Sequence, residues 1–372
     1  MKIVFTGGGT AGHIFPILAV VREIKRNYPD KKFQFFYIGP KDKKVKPLLL
    51  KEGIAVKTIL AGKIRRYFSI ENFIDILIRA PIGIIQSFFH IFMISPDLIF
   101  SKGGYGSLPV VLAGWVLITP IFLHESDASF GLTNRISAKL SIEVFTSFPV
   151  KKDDKMPLEK IISVGNPIRK EILEGSKEQG RKIFNLTGQK PVILILGGSQ
   201  GAQRINDRIL LALSEMLESF EVIHQTGEKN FQQVRKEADV VVSDNLKKYY
   251  HPHPFLNEEE LASSYKSADF IISRAGAGSI FEIAANGKPS ILVPLTGSAQ
   301  DHQVKNAYAY SQYQSAVVIE ESNFTPNFLL SRLKHFFSKP DELKRMSDKA
   351  KEFSRPQAAE IIADYLVYYL VK

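Results

Sequence analysis

The sequence predicts an α/β protein built from two doubly wound domains, each with a parallel sheet covered by helices. Two observations support this fold class. A strand, a glycine-rich loop and a helix follow one another twice, in "KIVFTGGGTAGHIFPILAVVREI" at 2–24 and in "PVILILGGSQGAQRINDRILLAL" at 191–213. Short apolar runs also alternate with helical patterns through both halves, as buried parallel strands and their crossover helices do. The 372 residues are enough for two such domains.

Each strand is predicted from a short apolar run bounded by polar or turn-forming residues. In chain order these runs lie at 2–5, 33–38, 98–100, 121–123, 192–196, 222–224, 270–273 and 290–293. Asn166-Pro167 is a turn signal shortly before the second glycine-loop unit, so we expect the domain boundary there. The expected division is an N-terminal domain at 1–163, a C-terminal domain at 164–350 and a final helical segment at 351–372. Ligands of such domains bind at the carboxyl ends of the strands.

The first glycine loop matches the pattern G-x-G-x-x-G at Gly7, Gly9 and Gly12, which dinucleotide-binding folds use. Those folds also need an acidic residue at the end of the second strand, and here that strand ends in "GPK" at 39–41. We therefore interpret the loop as an anion cradle, in which backbone N–H groups and a helix N-terminus bind phosphate. The alternative is a tight turn in which glycine only permits close packing.

Three segments of the second half suit a nucleotide sugar. The loop at 197–202 repeats the anion cradle, and Ser199 adds a hydroxyl donor. Glu282 lies one turn into the helix that begins in "SRAGAGSIFE", where a carboxylate can accept two ribose hydroxyls, although the helix dipole alone also favours an acidic residue there. The polar cluster "DHQVKNA" at 301–307 suits sugar hydroxyls, and a solvated helix start has a similar composition.

Charge and hydropathy point to an anionic partner. The formal net charge is +11, and nine Lys and Arg residues lie between 41 and 66. No recognisable nucleic-acid module accompanies them, so we expect no nucleic-acid partner. The segment at 73–94 is unusually apolar, but charged residues and a proline interrupt it and make it a poor transmembrane helix. It is either a buried core helix or, together with the basic run, a surface at 41–94 for docking on an anionic membrane.

The sequence contains no recognisable metal-binding motif. The chain has no cysteine, and it has no H-x-x-H motif or carboxylate cluster with metal-ligand spacing. We therefore predict no metal site.

Seven motifs, taken together and in order, resemble those of the MurG family of bacterial glycosyltransferases of peptidoglycan synthesis. They cover nearly the whole chain and read "GGGTAGHIFP", "SKGGYGSLP", "HESDASFGLTNR", "GNPIR", "GGSQGAQRIN", "SRAGAGSIFE" and "DHQVKNA". The resemblance implies the GT-B fold, which has two Rossmann-like domains, an interdomain cleft and a C-terminal helix that returns to the first domain. It implies inverting transfer of GlcNAc from UDP-GlcNAc to the C4 hydroxyl of MurNAc in lipid I (undecaprenyl-pyrophosphoryl-MurNAc-peptide), giving lipid II and UDP.

The resemblance also implies a peripheral protein at the cytoplasmic face of the cell membrane, without a bound metal or cofactor. Carried over position by position, it places His13 at the reaction centre, where a neutral histidine is a candidate general base for the acceptor hydroxyl or a hydrogen-bond partner of the sugar or a phosphate. The donor-binding positions would be Thr10, Ala11, Gly12, Asp127, Arg169, Ser199, Leu256, Ala277, Gly278, Ser279, Ile280, Phe281, Glu282 and Gln303. The acceptor-binding positions would be Gly8, Gly9, Gly104, Tyr105 and Asn134.

Within the donor set, the resemblance implies a specific partner for several residues. Leu256 would meet the uracil through its backbone, and Glu282 would bind the ribose. Ser199 and Arg169 would contact the diphosphate, and Gln303 would approach the GlcNAc hydroxyls.

Two positions depart from the family pattern. Ala11 stands where glycine is common, and Asp127 puts a carboxylate where an amide is usual, which makes Asp127 a second candidate base. Three alternatives stay open: a GT-B transferase with another lipid-linked acceptor, a UDP-sugar epimerase on the same twin-domain plan, and a non-catalytic nucleotide-sugar or membrane-binding protein.

Overall fold

The computed structural model describes residues 1–8, 11–62, 73, 75–150, 156–198, 202–297 and 301–372, with the backbone alone at positions 11 and 76. Within these residues the chain forms two compact units. Unit 1 comprises Met1–Arg169 and Pro356–Lys372, and unit 2 comprises Lys170–Arg355. The boundaries predicted from the sequence lie at 163/164 and 350/351.

Unit 1 is built on a parallel sheet of seven strands in the order β3-β2-β1-β4-β5-β6-β7. The strands are β1 (Lys2–Thr6), β2 (Gln34–Pro40), β3 (Ile54–Ile59), β4 (Leu98–Ser101), β5 (Ile121–Glu125), β6 (Glu143–Thr146) and β7 (Ile161–Ser163). The helices are α1 (Ala11–Asn27), α2 (Val45–Lys51), α3 (Ala80–Ile94), α4 (Leu108–Val116), α5 (Leu132–Leu140) and, from the C-terminal segment, α14 (Ala358–Val371).

Unit 2 is built on a parallel sheet of six strands in the order β10-β9-β8-β11-β12-β13. The strands are β8 (Val192–Leu196), β9 (Glu221–Gln225), β10 (Tyr250–His253), β11 (Phe270–Ser273), β12 (Ser290–Leu292) and β13 (Ala316–Val318). The helices are α6 (Lys177–Phe184), α7 (Gln203–Ser219), α8 (Phe231–Val241), α9 (Glu258–Ser267), α10 (Ala277–Ala285), α11 (His302–Ser311), α12 (Pro326–Phe337) and α13 (Pro340–Phe353).

Both sheets have the doubly wound order that the sequence predicts, so the predicted fold class is confirmed. The central strands carry continuous apolar runs because helices cover both faces of the sheet, and all five residues of β8 are buried. The strand order reverses between β1 and β4 in unit 1, and between β8 and β11 in unit 2. Loops that leave the sheet at such a reversal diverge and open a crevice at the carboxyl ends of the strands.

The C-terminal helix α14 is an integral part of unit 1. Its residues Ile362 and Leu366 are fully buried in one hydrophobic cluster with Ile17 and Val20 of α1. Each such side chain contributes on the order of 1.5–3 kcal/mol when buried. Tyr365 donates a hydrogen bond of 2.6 Å to Glu143 at the start of β6. Burial and these contacts hold α14 beside α1, the helix that follows the first glycine loop.

The apolar segment around α3 is only partly buried. It begins with a π-helical turn at Asp75–Arg79 and continues as α3, which buries Gly83, Ser87, Ile91 and Ile94. A Cβ on Gly83 would stand 1.9 Å from the carbonyl oxygen of Leu60, so glycine is what lets α3 lie against the end of β3. The interpretation of the whole segment as a core helix is therefore wrong, because only a narrow stripe of α3 faces the core.

The opposite face of α3 exposes large apolar side chains. Ile85, Phe89, Phe92 and Met93 are each at least 60% exposed. Among the described residues, one helical stretch, Leu77–Ile94, is long and apolar enough to span a bilayer by length and composition alone. Its packing through Gly83 onto β3 makes it a layer of unit 1 with an uncovered apolar face, which we call the α3 face.

Candidate functional site

The site in unit 1 begins where the loops after β1 and β4 meet. These two strands are parallel neighbours, so their carboxyl ends lie side by side. The N–H of Gly8 donates to the carbonyl oxygen of Gly103 at 2.8 Å, and the N–H of Lys102 donates to that of Thr6 at 2.8 Å. Gly103 and Gly104 have φ angles of 78° and 84°, in the left-handed region that favours glycine. The motif "SKGGYGS" therefore forms a tight turn that packs against the first glycine loop.

His13 stands on the first turn of α1 with its ring against this double loop. A Cβ on Gly8 would lie 3.1 Å from His13 Nδ1, and a Cβ on Gly104 would lie 3.0 Å from His13 Nε2. Both glycines therefore leave room for the imidazole. Burial and the charge of Lys102 lower the pKa of His13 to about 4, and the carboxylate of Asp127 opposes this shift. The ring is consequently neutral at neutral pH and can accept a proton.

His124, at the end of β5, is fully buried and held by two partners. Its Nε2 lies 3.0 Å from the carbonyl oxygen of Gly165, which can only accept, so Nε2 carries the proton. Its Nδ1 then accepts from the ammonium of Lys102 at 2.7 Å. Burial and the Lys102 charge keep the pKa of His124 well below its usual range. His124 is thus a neutral structural acceptor in the described structure.

Glu125 organises the turn that follows β5. Its two carboxylate oxygens accept from the N–H of Asp127 at 2.9 Å and from the amide of Asn134 at 2.7 Å. Burial and the nearby charge of Asp127 raise the pKa of Glu125. The amide of Asn134 also lies directly beside Gly103, where a Cβ would approach its oxygen to 2.2 Å. Asn134, predicted as an acceptor contact, is therefore buried beneath the loop and supports it.

Tyr105 and Arg169 lie at the borders of this region. Tyr105 is partly buried, and burial together with the carboxylates of Asp42 and Asp75 raises the pKa of its phenol. The guanidinium of Arg169 is buried and stacks 4.0 Å from the ring centroid of Phe15, two residues after His13. Unit 1 thus places a fixed cation, a phenol and a neutral imidazole around α1 and its loop.

The site in unit 2 is organised by Gln225 at the end of β9. Its amide donates to the carbonyl oxygen of Gly198 at 3.4 Å and accepts from the N–H of Leu256 at 3.4 Å. Gly198 belongs to the second glycine loop and has a left-handed φ of 80°. Gln225 therefore ties that loop to Leu256, the residue predicted to meet the uracil. Sequence reasoning missed Gln225, which sits at the end of a predicted strand and could have been found as a polar residue at its tip.

Helix α10 presents an uncapped N-terminus near this edge of the sheet. Its N-cap is Gly276, whose backbone is extended and which offers no side-chain cap. Added Cβ atoms at Gly276 and Gly278 would meet nothing within 4 Å among the described residues. The backbone N–H groups of the first turn point away from the helix and can bind an anion. Ala277, Ile280 and Phe281 have buried side chains, so only their backbones can serve a ligand.

Glu282 and Gln303 lie at the same edge. Glu282 is partly buried, and one of its oxygens accepts from Tyr265 at 3.1 Å, which orients the carboxylate. Gln303, in the first turn of α11, accepts from the N–H of Leu295 at 3.0 Å. Asn306 is fully buried and donates to the carbonyl oxygen of Ala275 at 3.3 Å, which joins α11 to the loop after β11.

Not every predicted site residue can be placed. Gly9, Thr10 and Ser199 lie outside the described residues, and Ala11 is described by its backbone alone. Gly12 and Ser279 lie in the first turns of α1 and α10. Within the described part of the chain, no group of three or more His, Asp or Glu side chains could hold a metal ion.

The fold and the two sites define a class. Two doubly wound units with glycine loops at the carboxyl ends of their central strands are the architecture of GT-B glycosyltransferases. Residues 3–146 match the glycosyltransferase family 28 N-terminal domain, and residues 192–362 match the family 28 C-terminal domain. The chain is a glycosyltransferase that depends on a UDP-linked sugar.

Similar proteins narrow the class. A Bacillus cereus protein named UDP-N-acetylglucosamine--N-acetylmuramyl-(pentapeptide) pyrophosphoryl-undecaprenol N-acetylglucosamine transferase 2 is 33% identical over 366 residues, which cover 98% of this chain and 99% of that protein. The crystal structure of Acinetobacter baumannii MurG aligns with a TM-score of 0.74 at 25% identity, over 99% of both chains. The chain belongs to the MurG family of glycosyltransferases.

A second kind of neighbour shares the fold alone. The UDP-GlcNAc 2-epimerase of Neisseria meningitidis aligns with a TM-score of 0.70 at 15% identity, over 99% of this chain and 100% of that one. An identity this low says nothing about the reaction, so it marks the epimerases as relatives in architecture.

Proposed function

We propose that this protein transfers GlcNAc from UDP-GlcNAc to the C4 hydroxyl of MurNAc in lipid I, giving lipid II and UDP for peptidoglycan synthesis. The name of the Bacillus cereus relative states this donor and acceptor, and that relative is matched from end to end. The observation that carries the proposal in the structure is His13, a neutral imidazole held against two glycine loops of unit 1.

The reaction can be written on the residues of each unit. The acceptor hydroxyl gives its proton to His13 as its oxygen attacks the anomeric carbon of GlcNAc, and the bond from that carbon to the diphosphate breaks. UDP leaves with the electron pair, and attack on the face opposite the diphosphate inverts the configuration. In unit 2, the N-terminus of α10 supplies a binding site for the diphosphate. The ordered carboxylate of Glu282 accepts hydrogen bonds from the ribose hydroxyls.

Asp127 is the second candidate for the base. Its carboxylate is partly buried, close enough to His13 to raise the pKa of the imidazole, and its own N–H is fixed by Glu125. A carboxylate in that place stabilises the imidazolium that forms when His13 takes the proton. We therefore assign the proton to His13 and a supporting charge to Asp127.

The same proposal includes docking on the cytoplasmic face of an anionic membrane. Lys57 of β3 is exposed and close enough to His90 of α3 to lower the pKa of that histidine, and the described part of the basic run exposes further lysines at 41, 43, 44, 46 and 51. The end of α4, which packs along α3, adds the exposed Trp115, Val116 and Ile118. Apolar side chains bordered by cations fit the boundary between acyl chains and anionic head groups.

An assay of the glycosylated acceptor tests the proposed function. Purified protein is incubated with UDP-GlcNAc and a short-chain lipid I analogue, and mass spectrometry follows the acceptor. The expected result is an acceptor heavier by one GlcNAc, together with one UDP per product. Transfer to another polyprenyl-linked sugar but not to lipid I analogues would overturn the acceptor assignment. Conversion of UDP-GlcNAc to an epimer without any acceptor, detected by NMR, would overturn the reaction type.

A further inference from the structure

Lys102 is a buried cation that the assigned roles leave unused. It directly follows β4 and is 1% exposed. Its ammonium group contacts His124 Nδ1 at 2.7 Å and donates to the hydroxyl of Ser126. Because His124 is fixed from its other side by Gly165, this ammonium is bound to a rigid acceptor. The lysine therefore links the end of β4 to the end of β5 and to the turn that carries Asp127.

The backbone of Lys102 belongs to the frame that holds His13. Its N–H donates to Thr6 at the end of β1, and its Cβ lies 3.5 Å from where a Cβ would stand on Gly7. The next two residues, Gly103 and Gly104, form the turn against which the imidazole packs. Lys102 thus contacts the end of β1, the first glycine loop and the turn that bears Asp127.

We propose that Lys102 is a positioning residue for His13, which locks the turn bearing Asp127 against the glycine loops and holds a fixed positive charge near the imidazole. This inference rests on the proposed function, in which His13 takes the acceptor proton.

The charges around His13 support this assignment. Lys102 and Asp127 act on His13 with opposite sign, and Lys102 is itself faced by His124, Glu125 and Asp127. Burial lowers the pKa of Lys102 to about 8 against the pull of the two carboxylates, so the lysine is mainly charged at neutral pH. Its cation adds to burial in disfavouring the protonated imidazole, and the carboxylate of Asp127 opposes both effects.

The test follows the imidazole itself and needs no substrate. NMR of enzyme labelled at histidine Cε1 gives the pKa of His13, and the His13→Asn variant assigns its signal. In Lys102→Met, we expect the pKa of His13 to rise by about one unit or more. It should stay below the ordinary 6.5, because burial is the largest cause of the shift and remains. Asp127→Asn should move the pKa in the opposite direction, and this nearly isosteric change in the partly buried turn keeps the test open if Lys102→Met fails to fold.

Two control variants distinguish loss of the Lys102 charge from general damage to the protein. Lys102→Arg keeps the cation and should leave the His13 pKa near that of the wild type. Lys288→Met removes a lysine of unit 2 whose pKa is also lowered by burial, and it should have no effect on His13. An unchanged His13 pKa in Lys102→Met would overturn the inference.

The turnover assay adds a second readout. In Lys102→Met the acid limb of kcat/KM should move to higher pH by the same shift as the NMR titration, with an unchanged KM for UDP-GlcNAc. A limb that stays in place while the rate falls would mean a purely structural role. Failure of lipid I analogues as acceptors would count against the proposed function and leave the NMR result standing.

Discussion

At the scale of single residues, His13 shows how a glycine-rich turn can carry a reactive side chain. Glycines at positions 8 and 104 are needed because the imidazole occupies the space that their side chains would fill. Of the glycines that match the dinucleotide motif, Gly7 also packs against His13, because a Cβ added to Gly7 would lie 3.2 Å from the Cβ of His13. The pKa of about 4 follows from burial and from Lys102, a residue that sequence patterns gave no reason to select.

The pH dependence of the free enzyme should report this lowered pKa. Protonated imidazole is disfavoured in the folded protein, so the basic form persists as the pH falls below 6.5 and is lost near pH 4. We expect the acid limb of kcat/KM for the lipid I analogue to lie near pH 4. A limb near 6.5 that disappears in His13→Asn would show instead that the imidazole is exposed to solvent during catalysis.

Gly104→Ala should impair transfer through His13. The new Cβ would stand 3.0 Å from His13 Nε2, on a backbone whose φ of 84° already disfavours alanine. We expect kcat to fall by at least about tenfold, with an added destabilisation of roughly 1 kcal/mol or more from the strained backbone.

The matched control is Gly53→Ala. Gly53 has a φ of 70°, and a Cβ there would meet only the end of Lys25 at 3.8 Å among the described residues. It carries the same backbone strain without the contact to His13. Equal losses of kcat in the two variants would show that strain alone, rather than the imidazole contact, explains the effect.

At the scale of elements, the sequence predicts the central strands well and the edge strands poorly. The predicted runs at 192–196 and 270–273 coincide with β8 and β11, since strands covered on both faces are continuously apolar. Five strands were missed, namely the edge strands β3, β7, β10 and β13 and the strand β6 next to an edge. Among them, "IAVKTI" of β3 has several exposed residues, and "YHPH" of β10 contains a proline and two histidines. Such strands depend on their neighbours for structure, and their own sequences carry little signal.

The α3 segment shows that the sequence alone also leaves a functional surface undecided. Its composition allowed a core helix or a docking surface, and only the packing of Gly83 against Leu60 decides which stripe is buried. Positioning residues such as Lys102 and Gln225 were missed for a related reason. Their roles arise from strands that are neighbours in the sheet and distant in the sequence, and no local pattern records that proximity.

The α3 face should bind anionic liposomes. Replacing Ile85, Phe89 and Phe92 with serine removes three exposed side chains, each of which contributes on the order of 1.5–3 kcal/mol when fully buried. We expect co-sedimentation with phosphatidylglycerol liposomes to weaken at least about tenfold. High salt should also weaken wild-type binding, because Lys57 beside α3 and the other exposed lysines of the basic run act through screened charge.

The control replaces Leu211, Val240 and Val241 with serine. These apolar residues are similarly exposed but belong to unit 2, whereas α3 and the basic run belong to unit 1. They should have no effect on liposome binding. An equal loss of liposome binding in both triple variants would contradict the proposal that α3 forms the membrane-binding surface.

At the scale of the whole molecule, the two units divide the chemistry. Unit 1 holds the candidate base and the apolar, basic surface, while unit 2 holds the anion site at α10 and the ordered Glu282. An acceptor embedded in a membrane and a soluble nucleotide sugar are thus assigned to different units. The C-terminal helix α14 returns to unit 1 and packs on α1, so the helix that bears His13 is supported by the end of the chain.

Stability should fall in acid because buried histidines are neutral in both units. Burial lowers the pKa of His224 in unit 2 to about 3, so the unfolded chain binds more protons than the folded one between that value and 6.5. The free energy of unfolding should therefore decrease as the pH drops below 6.5, by up to about 1.4 kcal/mol per pH unit for each such histidine. Urea unfolding between about pH 5 and pH 7 measures this slope. His224→Gln should flatten it, and a slope identical to that of the wild type would contradict the account.

The central claim is that the acceptor hydroxyl of lipid I loses its proton to His13 as GlcNAc is transferred. The most direct measurement is rapid-quench turnover of His13→Asn and wild type with UDP-GlcNAc and a lipid I analogue, both at saturation, with UDP affinity measured in parallel. We predict a fall in kcat of about 100-fold or more in the variant, the size expected for loss of a general base, and unchanged affinity for UDP. A variant that transfers GlcNAc at the wild-type rate would contradict the claim.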